Sequence, residues 1–416
     1  MLVKSSRFFY LLLIVFVASI FIPKYYWMKF EKNIRSPRVY YSPVTDDFLL
    51  IKPTNADKNQ FCVDPKGKSY NREEFEMNMP LLNYRQLILE KKLPDSLHGE
   101  PLVMEKIRLN NIMLRIKPDE IDFKPIQLFP MFESQSGRVN LEMPNDYFRI
   151  TNSMEFILCQ TNSIDKKKSL CFTTYLTSKK FSFPAKIIAG NPTTRKAFDE
   201  GYFVLDSKNN LFHIKMVKGK PFCVNANIPD SLDVAFLKIM EMPLREFYGL
   251  LITKPGDVYL ISYDHYKLVK LPLTGYDIEK DVFTISGDQF YRTFSLIGSN
   301  NVRTVVTDRN YDVVNRYSEA WKDNYDLNAG IIASYVFPFT LHLNDSNSSY
   351  SNFYFEFSGV QSLIGTFILA LLSYFILVRR KIEVKKGWFD LVLVFFTGIF
   401  GFIAVLLVKN VDKSLE

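Results

Sequence analysis

The chain has few of the residue types that bind metals or form disulfides. Its 416 residues include four cysteines and four histidines, and no CxxC, HxxxH or HExxH pattern occurs among them. Zinc ribbons and thioredoxin-like sites need paired cysteines at short spacing, and helical metal sites need paired histidines. The sequence therefore predicts no metal site and no cofactor, and it gives each histidine a structural or surface role.

Motifs for phosphate and acyl-transfer chemistry are absent as well. No Walker A motif occurs, and the segment 131–138, which sets a serine beside Glu133, does not match GxSxG. A serine hydrolase also needs a base, and no histidine is close to this serine in sequence.

Glycosidases use two carboxylates about 5–9 Å apart, a separation that sequence spacing does not test. Two such pairs are conceivable, Glu133 with Asp199 and Asp146 with Glu200. We predict a protein that is not an enzyme.

The charge balance is basic but unevenly distributed. The formal net charge is +8, from 52 Lys and Arg against 44 Asp and Glu. No basic stripe with interleaved aromatic residues runs through the body of the chain, so a nucleic-acid partner is not predicted. Much of the excess lies beside apolar segments, at Lys4, Arg7, Lys24 and within 379–386. Cations at such positions set membrane topology.

Two long apolar runs lie near the C-terminus, Val360–Val378 and Trp388–Val408. Each has about the 20 residues that a helix needs to cross a bilayer. The turn 379–387 between them carries five cations, and short basic loops stay in the cytoplasm. We therefore predict that residues 358–409 form a transmembrane helical hairpin whose cytoplasmic side is determined by Arg379, Arg380, Lys381, Lys385 and Lys386. Asp390 is interpreted as a residue at the membrane boundary.

A third apolar run, Phe8–Ile22, follows Lys4 and Arg7. It is predicted to be an uncleaved signal anchor within residues 1–27, because Tyr25–Trp27 resembles an interfacial aromatic belt. A cleaved signal peptide is the alternative. With its basic end inside, the anchor agrees with the hairpin. The chain is then a multi-pass inner-membrane protein with a cytoplasmic N-terminus, a periplasmic domain over 28–357 and a short external tail over 410–416.

The region between the membrane segments is predicted to be mainly β. Short strands alternate with turns near residues 65, 165, 208, 256 and 309, and a helical insertion interrupted by Pro80 is expected near 72–92. A spacing of about 40–50 residues is typical of propeller blades, and the span Phe48–Tyr317 would hold about six of them. The fold is therefore predicted to be propeller-like, with a β-sandwich as the alternative. Residues 330–357 are also β-prone.

The cysteines could be oxidised in such a compartment. Cys159 and Cys171 flank a polar turn, which would make them neighbours across a hairpin and candidates for a disulfide. Cys62 with Cys223 is a second, weaker pair. Buried free thiols are the alternative for both pairs.

The most distinctive loop is Gly190–Gly201, which carries hydroxyls, cations and acids that could receive an anionic ligand. An ordered connection between two blades is the alternative. Together with the 131–138 segment, the loop supplies the candidate ligand-binding residues Arg195, Lys196, Asp199, Glu200, Glu133 and Arg138.

Residues 80–99 and 190–215 resemble an uncharacterised family of membrane-anchored Bacteroidota proteins. Members of this family are often encoded near ABC-transporter components. The resemblance implies a non-enzymatic accessory or binding component of an ABC-type transport or envelope complex, with the lipid bilayer and a transporter permease as partners. A membrane-tethered glycan hydrolase and a ligand sensor that signals through a partner are the alternatives.

Overall fold

The computed structural model describes residues 2–52, 61–344, 347–380, 382 and 384–408. The chain divides into two compact units. The terminal unit consists of Met1–Arg35 and Ala320–Glu416, and the central unit is Ser36–Glu319. Residues 320–357, which the sequence assigned to the external domain, therefore belong to the same unit as the apolar helices.

Helices occur at both chain ends and between the strands. The terminal unit contains α1 (Leu2–Phe30), α7 (Asn328–Val336), α8 (Ser362–Arg379), α9 (Val384–Thr397) and α10 (Ile399–Leu407), and the central unit contains α2 (Arg72–Asn78), α3 (Tyr84–Leu89), α4 (Met104–Asn110), α5 (Pro118–Asp122) and α6 (Lys166–Ser178).

The first half of the central unit contains short strands and the second half contains longer ones. In chain order they are β1 (Arg38–Ser42), β2 (Asp47–Ile51), β3 (Cys62–Val63), β4 (Ser69–Tyr70), β5 (Ser96–Leu97), β6 (Glu100–Pro101), β7 (Ile112–Ile116), β8 (Phe129–Pro130), β9 (Asp146–Ile150), β10 (Met154–Leu158), β11 (Ile187–Gly190), β12 (Tyr202–Leu205), β13 (Leu211–Val217), β14 (Lys220–Asn225), β15 (Val234–Ile239), β16 (Phe247–Thr253), β17 (Val258–Ser262), β18 (Leu268–Lys270), β19 (Val282–Gly287), β20 (Arg292–Ile297), β21 (Asn301–Thr307) and β22 (Val313–Ala320). The terminal unit adds β23 (Phe339–His342) and β24 (Tyr354–Phe357).

The central strands form antiparallel sheets of neighbouring chain segments. Among the described residues, five sheets contain three or more strands, where the turn spacing predicted about six blades. The first to fifth sheets have the orders β1-β2-β3-β4, β10-β9-β8, β11-β12-β13-β14, β15-β16-β17-β18 and β22-β21-β20-β19-β7. Strand β7 thus does not pair with the strands next to it in sequence; it pairs with β19 and forms one edge of the fifth sheet.

The sheets pack face to face in chain order. One apolar cluster joins the second sheet to the third, another joins the third to the fourth, and a third joins the fourth to the fifth. Strand β12 shows why this works: Tyr202 and Val204 face one neighbouring sheet, and Phe203 and Leu205 face the other. Because successive strand residues point to opposite faces, a strand between two sheets is apolar at every position. The first sheet packs against the fifth through Phe48 and Val306.

Several predicted hairpins are confirmed. β12 pairs with β13, β16 pairs with β17, and β21 pairs with β22, each across a predicted turn. The helical insertion is also confirmed as α2 and α3, which stop and restart on either side of Pro80. Asn71 starts α2 by accepting the Glu74 N–H, while the Glu74 carboxylate accepts the Asn71 N–H.

The predicted hairpin around residue 165 is wrong. Asp165 is the N-cap of α6 rather than the centre of a turn, because its carboxylate accepts the Lys168 N–H at 3.0 Å. The buried residues Ser169, Phe172 and Leu176 then recur at helical spacing. β10 pairs with β9 instead. The basis for a Cys159–Cys171 disulfide is therefore lost: both are exposed free thiols, and Cys62 and Cys223 are buried free thiols.

Among its described residues, the terminal unit contains two helices that are long and apolar enough to cross a membrane, α1 and α8. Residues 330–336, the first part of the stretch 330–357 that was predicted as β-prone, lie in the helix α7. Its buried residues Gly330 and Ala333, followed by Phe337, recur every three or four positions. Phe337 packs on Phe400 of α10 with ring centroids 6.0 Å apart.

The third predicted span, Trp388–Val408, is not a single helix. The backbone at Gly398 has φ 56° and ψ −127°, a conformation that glycine adopts readily, and it separates α9 from α10. One nitrogen of Arg7 donates to the Asp390 carboxylate at 2.9 Å and to the Val408 carbonyl at 3.2 Å. These two oxygens are therefore at most about 6 Å apart, whereas 18 residues of straight helix would separate them by about 27 Å. α9 and α10 thus fold back on each other as a short helical hairpin.

This hairpin changes the predicted path of the C-terminus. Val408 returns to the end of α1 that carries Arg7, not to the opposite end. The predicted external tail at 410–416 lies outside the described residues, as do Lys381 and the side chains of Lys385 and Lys386. Arg379 is the last residue of α8, and Arg380 is its C-cap.

Candidate functional site

The site is built on the loop that joins β11 to β12, the same Gly190–Gly201 loop that the sequence singled out. Glycine is needed at both ends of it. A Cβ on Gly190 would lie 2.4 Å from the Tyr202 ring, and a Cβ on Gly201, whose φ is +69°, would lie 2.4 Å from the Ile214 carbonyl oxygen. The loop is therefore pressed tightly against the strands it connects.

Lys196 is the centre of a buried ionic cluster in this loop. Its ammonium lies 2.6 Å from Asp199 Oδ1 and 2.6 Å from Glu241 Oε1. The lysine side chain is 3% exposed, and both carboxylates are 0% exposed. The ammonium also lies 4.9 Å from the centre of the Phe132 ring. Glu241 follows β15, so the cluster ties the loop of the third sheet to the fourth sheet.

Neutral donors satisfy the remaining carboxylate oxygens. Ser134 Oγ donates to Asp199 Oδ2 at 2.6 Å, and Asn191 Nδ2 donates to Glu241 Oε2 at 2.9 Å. The Glu200 N–H donates to Glu241 Oε1 at 3.0 Å. Two carboxylates share one ammonium here, so the cluster keeps one excess negative charge. Burial raises the pKa of Glu241, although its hydrogen bonds and the Lys196 charge act in the opposite direction.

Glu200 extends the network into β13. Its carboxylate binds Lys215 at 2.9 Å, and its main-chain carbonyl lies 2.5 Å from His213 Nε2. Because a carbonyl only accepts, Nε2 carries the proton, and Nδ1 accepts the hydroxyl of Tyr266 at 2.9 Å. Burial lowers the pKa of His213 to about 4. This histidine is therefore neutral at physiological pH, with both nitrogens occupied.

Three tyrosines from the fourth sheet continue the site beyond His213. Tyr248 stacks between Tyr263 and Tyr266, with ring centroids 3.8 and 5.4 Å away. Burial raises the pKa of all three phenols, so they remain protonated hydrogen-bond donors at neutral pH. The His213 ring lies parallel to that of Phe203 at 4.5 Å. Charged, aromatic and hydroxyl groups are thus continuous across the junction of two sheets.

Three of the six candidate ligand-binding residues meet in this network: Lys196, Asp199 and Glu200. The others lie apart from it. Glu133 accepts the N–H groups of Lys218 and Gly219 at 2.7 Å each, Arg138 lies 3.7 Å from Glu142, and Arg195 is exposed. Sequence reasoning did not select Ser134, Asn191, His213, Lys215, Glu241 and Tyr266 as ligand-binding residues, because their partners are distant in the chain.

The arrangement holds two sheets together. Asp199 has one oxygen on Lys196 and the other on Ser134. In the second conceivable carboxylate pair, Asp146 binds Lys168 at 2.7 Å through Oδ2 while its buried Oδ1 has no partner among the described residues, and Glu200 binds Lys215. In the part of the chain that the structure describes, no three metal-ligating side chains converge.

Comparison with known proteins places the central unit in a family. The family model for DUF4857, a domain of unknown function, matches residues 38–307. No curated protein matches. Among solved structures, dihydro-heme d1 dehydrogenase NirN in complex with DHE is 9% identical, with a TM-score of 0.20 over 57% of this chain and 64% of that one. The chain thus spans less than two thirds of that structure, and so low a TM-score carries no inference. The chain belongs to the DUF4857 family.

Proposed function

We propose that this protein is a non-enzymatic inner-membrane component that carries its β-rich central unit on the periplasmic side. It would serve as an accessory or binding component of an ABC-type transport or envelope complex, with a transporter permease as its membrane partner. The observation that carries this proposal is the closed ionic network around Lys196: its side chains bind one another and leave no free acid, base or nucleophile. A protein of this kind acts through its surfaces.

The proposed topology is supported by the ends of the two long helices. α1 begins near Arg7, and α8 ends at Arg379, so a chain that crosses outward on α1 and inward on α8 has both basic ends on one side. Basic ends stay in the cytoplasm. The central unit, which lies between these helices in sequence, is then periplasmic. The face-to-face series of five sheets supports a propeller-like arrangement of this unit.

A partner in the membrane is supported by the lateral surface of α8. This helix buries Thr366, Ser373 and Leu377 and exposes an apolar face that includes Phe367 and Phe375. Residues on one face recur every three or four positions, so the two sets define opposite sides. Phe367 and Phe375 are therefore suitable positions for capturing a neighbour within the bilayer.

The test is site-specific photocross-linking in native membranes. A photoreactive phenylalanine analogue replaces Phe367 or Phe375 in the full chain, and Leu377, which is buried on the opposite side, serves as the matched control position. The expected result is one adduct of fixed mass at Phe367 or Phe375, identified by mass spectrometry as a transporter permease, and none at Leu377. Purification of an unmodified monomer in mild detergent, with only lipid adducts at both positions, would overturn the proposal.

A further inference from the structure

A small cavity that is partly open to solvent lies in the central unit, away from the Lys196 cluster. It has a volume of about 60 Å³ and lies between β1, the segment after α2, the α4–β7 connection and the β19–β20 turn. A water molecule needs about 10–15 Å³ by the same measure. The cavity therefore has room for about four or five non-hydrogen atoms, which is the size of a small functional group.

Asp288 is the acidic residue among those that line this cavity, and Asn111, Ser286 and Thr293 are the other polar ones. The methionines Met79 and Met113 also line it, as do Tyr40 and Tyr41, which are consecutive in β1, so that only one of their two rings lies on the cavity side of the strand. Among the described residues that line it, none is a lysine, arginine or histidine. The cavity thus offers hydrogen-bond acceptors and an aromatic ring but no positive charge.

The backbone of the β19–β20 turn fixes the Asp288 carboxylate. Its Oδ1 accepts the N–H groups of Phe290 and Tyr291 at 2.8 Å each. Within the described part of the chain, Oδ2 has no hydrogen-bond partner. Burial raises the pKa of Asp288 despite the two N–H donors and the nearby Arg292 and His98. An unpaired carboxylate at such a site is stabilised when a cation enters.

The neighbouring cations are already engaged elsewhere. Arg292 binds the Glu246 carboxylate at 3.0 and 2.6 Å and donates to the main-chain carbonyl of Asp288, not to its carboxylate. His98 Nε2 lies 2.6 Å from the Pro43 carbonyl oxygen. Neither of these cations therefore forms an ion pair with the Asp288 carboxylate.

We propose that this cavity binds a small organic cation, an alkylammonium or guanidinium group of about four or five non-hydrogen atoms, with Asp288 as its counter-ion and one ring of the consecutive pair Tyr40 and Tyr41 as its aromatic wall. Carboxylates bind such donors through charge-assisted hydrogen bonds, and aromatic rings attract cations. The group belongs either to a free amine or to the end of a lysine or arginine side chain of another protein.

The two methionines provide a direct readout. The full-length protein, labelled with ¹³C at the methionine methyl groups, is titrated in detergent with methylguanidinium chloride or with methylurea, its neutral isostere, at constant ionic strength. We expect the Met79 and Met113 signals to shift saturably with methylguanidinium and not with methylurea, while the methionines outside the cavity stay unchanged. Equal shifts with both compounds, or none with either, would overturn the proposal even without any variant.

The variant Asp288→Asn keeps an oxygen for the two N–H donors and removes the charge. We expect it to weaken methylguanidinium binding by about tenfold or more, as loss of a charge-assisted hydrogen bond does. Asp308→Asn is the matched control, because Asp308 Oδ1 caps the β21–β22 turn in the same way, with Asn310 N–H at 2.8 Å and Asp312 N–H at 2.9 Å. Unchanged binding in Asp288→Asn would overturn the role of the carboxylate.

A second titration distinguishes the two sources of the cation. Nα-acetyl-arginine N-methylamide carries the same guanidinium on a peptide backbone. Tighter binding of this compound than of methylguanidinium indicates a protein side chain as the natural occupant. Tighter binding of methylguanidinium indicates a free amine. Failure of both compounds to shift Met79 and Met113 contradicts the proposal.

Discussion

Arg292 and Glu246, 46 positions apart, form a two-point ion pair with donor–acceptor distances of 3.0 and 2.6 Å. The arginine side chain is 1% exposed and the glutamate side chain is 15% exposed. The Tyr311 hydroxyl donates to the same carboxylate. Burial alone would raise the pKa of Glu246, but the hydrogen bonds and charge of Arg292 outweigh it and hold that pKa below its ordinary value.

Replacement of Arg292 by leucine should destabilise the protein strongly. The change leaves the Glu246 carboxylate buried without its cation, and breaking a buried pair in this way costs about 3–5 kcal/mol. Lys254→Leu is the control, because its ion pair with Asp233 is exposed on both sides and should change stability by about 0.5 kcal/mol or less. Urea unfolding of the detergent-solubilised protein, followed by the β-sheet circular dichroism signal, measures both. Equal effects of the two changes would contradict the inferred burial.

The pH dependence of stability should distinguish Glu241 from Glu246. Glu241 has a raised pKa in the folded protein, so its contribution is present below the unfolded pKa of about 4.3 and is lost as pH rises through the folded value. Glu246 has a lowered pKa, so its contribution is present above the unfolded pKa and is lost as pH falls through the folded value. The two carboxylates therefore act in opposite directions.

The variant Glu241→Gln isolates the first of these effects. Its free energy of unfolding, relative to that of the wild type, should increase as pH rises from about 4 to 7, because glutamine cannot acquire the poorly solvated charge. Glu142→Gln, the same substitution at an exposed position, is the matched control. Urea titrations at several pH values measure this trend. A relative stability that falls with rising pH would mean that attraction to Lys196 exceeds the cost of burying the carboxylate.

The sequence identified the parts of the fold that local chemistry determines. The turns at 208, 256 and 309 contain residues that favour turns, and their hairpins formed as expected. Asp165 was ambiguous, since the same residue type starts a helix or makes a turn. Gly398 was ambiguous too, because an apolar run of 21 residues has the same composition whether it crosses a membrane or folds back at one glycine. Glu241 could not be linked to Lys196, 45 positions away, because no local spacing records contacts between sheets.

The path of the C-terminal hairpin can be tested by cysteine labelling. In a background without the four native cysteines, Leu407→Cys and Val360→Cys place exposed thiols at the end of α10 and just before α8. If α10 returns to the Arg7 end of α1, an impermeant maleimide should label Leu407→Cys in inverted vesicles and Val360→Cys in right-side-out vesicles. Labelling of both from the same side would instead restore a single span over 388–408. Background protein without cysteine is the control for unspecific reaction.

Removal of the Arg7 charge should loosen the same hairpin. The Arg7 guanidinium binds both oxygens of the buried Asp390 carboxylate, each at 2.9 Å, so Arg7→Gln leaves that charge unpaired. Loss of about 3–5 kcal/mol would raise the population of an opened hairpin by more than tenfold. A reporter thiol at Phe400, which is fully buried, should then react with maleimide at least about tenfold faster. Lys24→Gln, which removes a cation at the other end of α1, should leave the rate unchanged. The double variant Arg7→Gln, Asp390→Asn should react more slowly than Arg7→Gln alone, because no unpaired charge remains in it. If both variants react at the same rate, Arg7 acts through its hydrogen bond to the Val408 carbonyl instead.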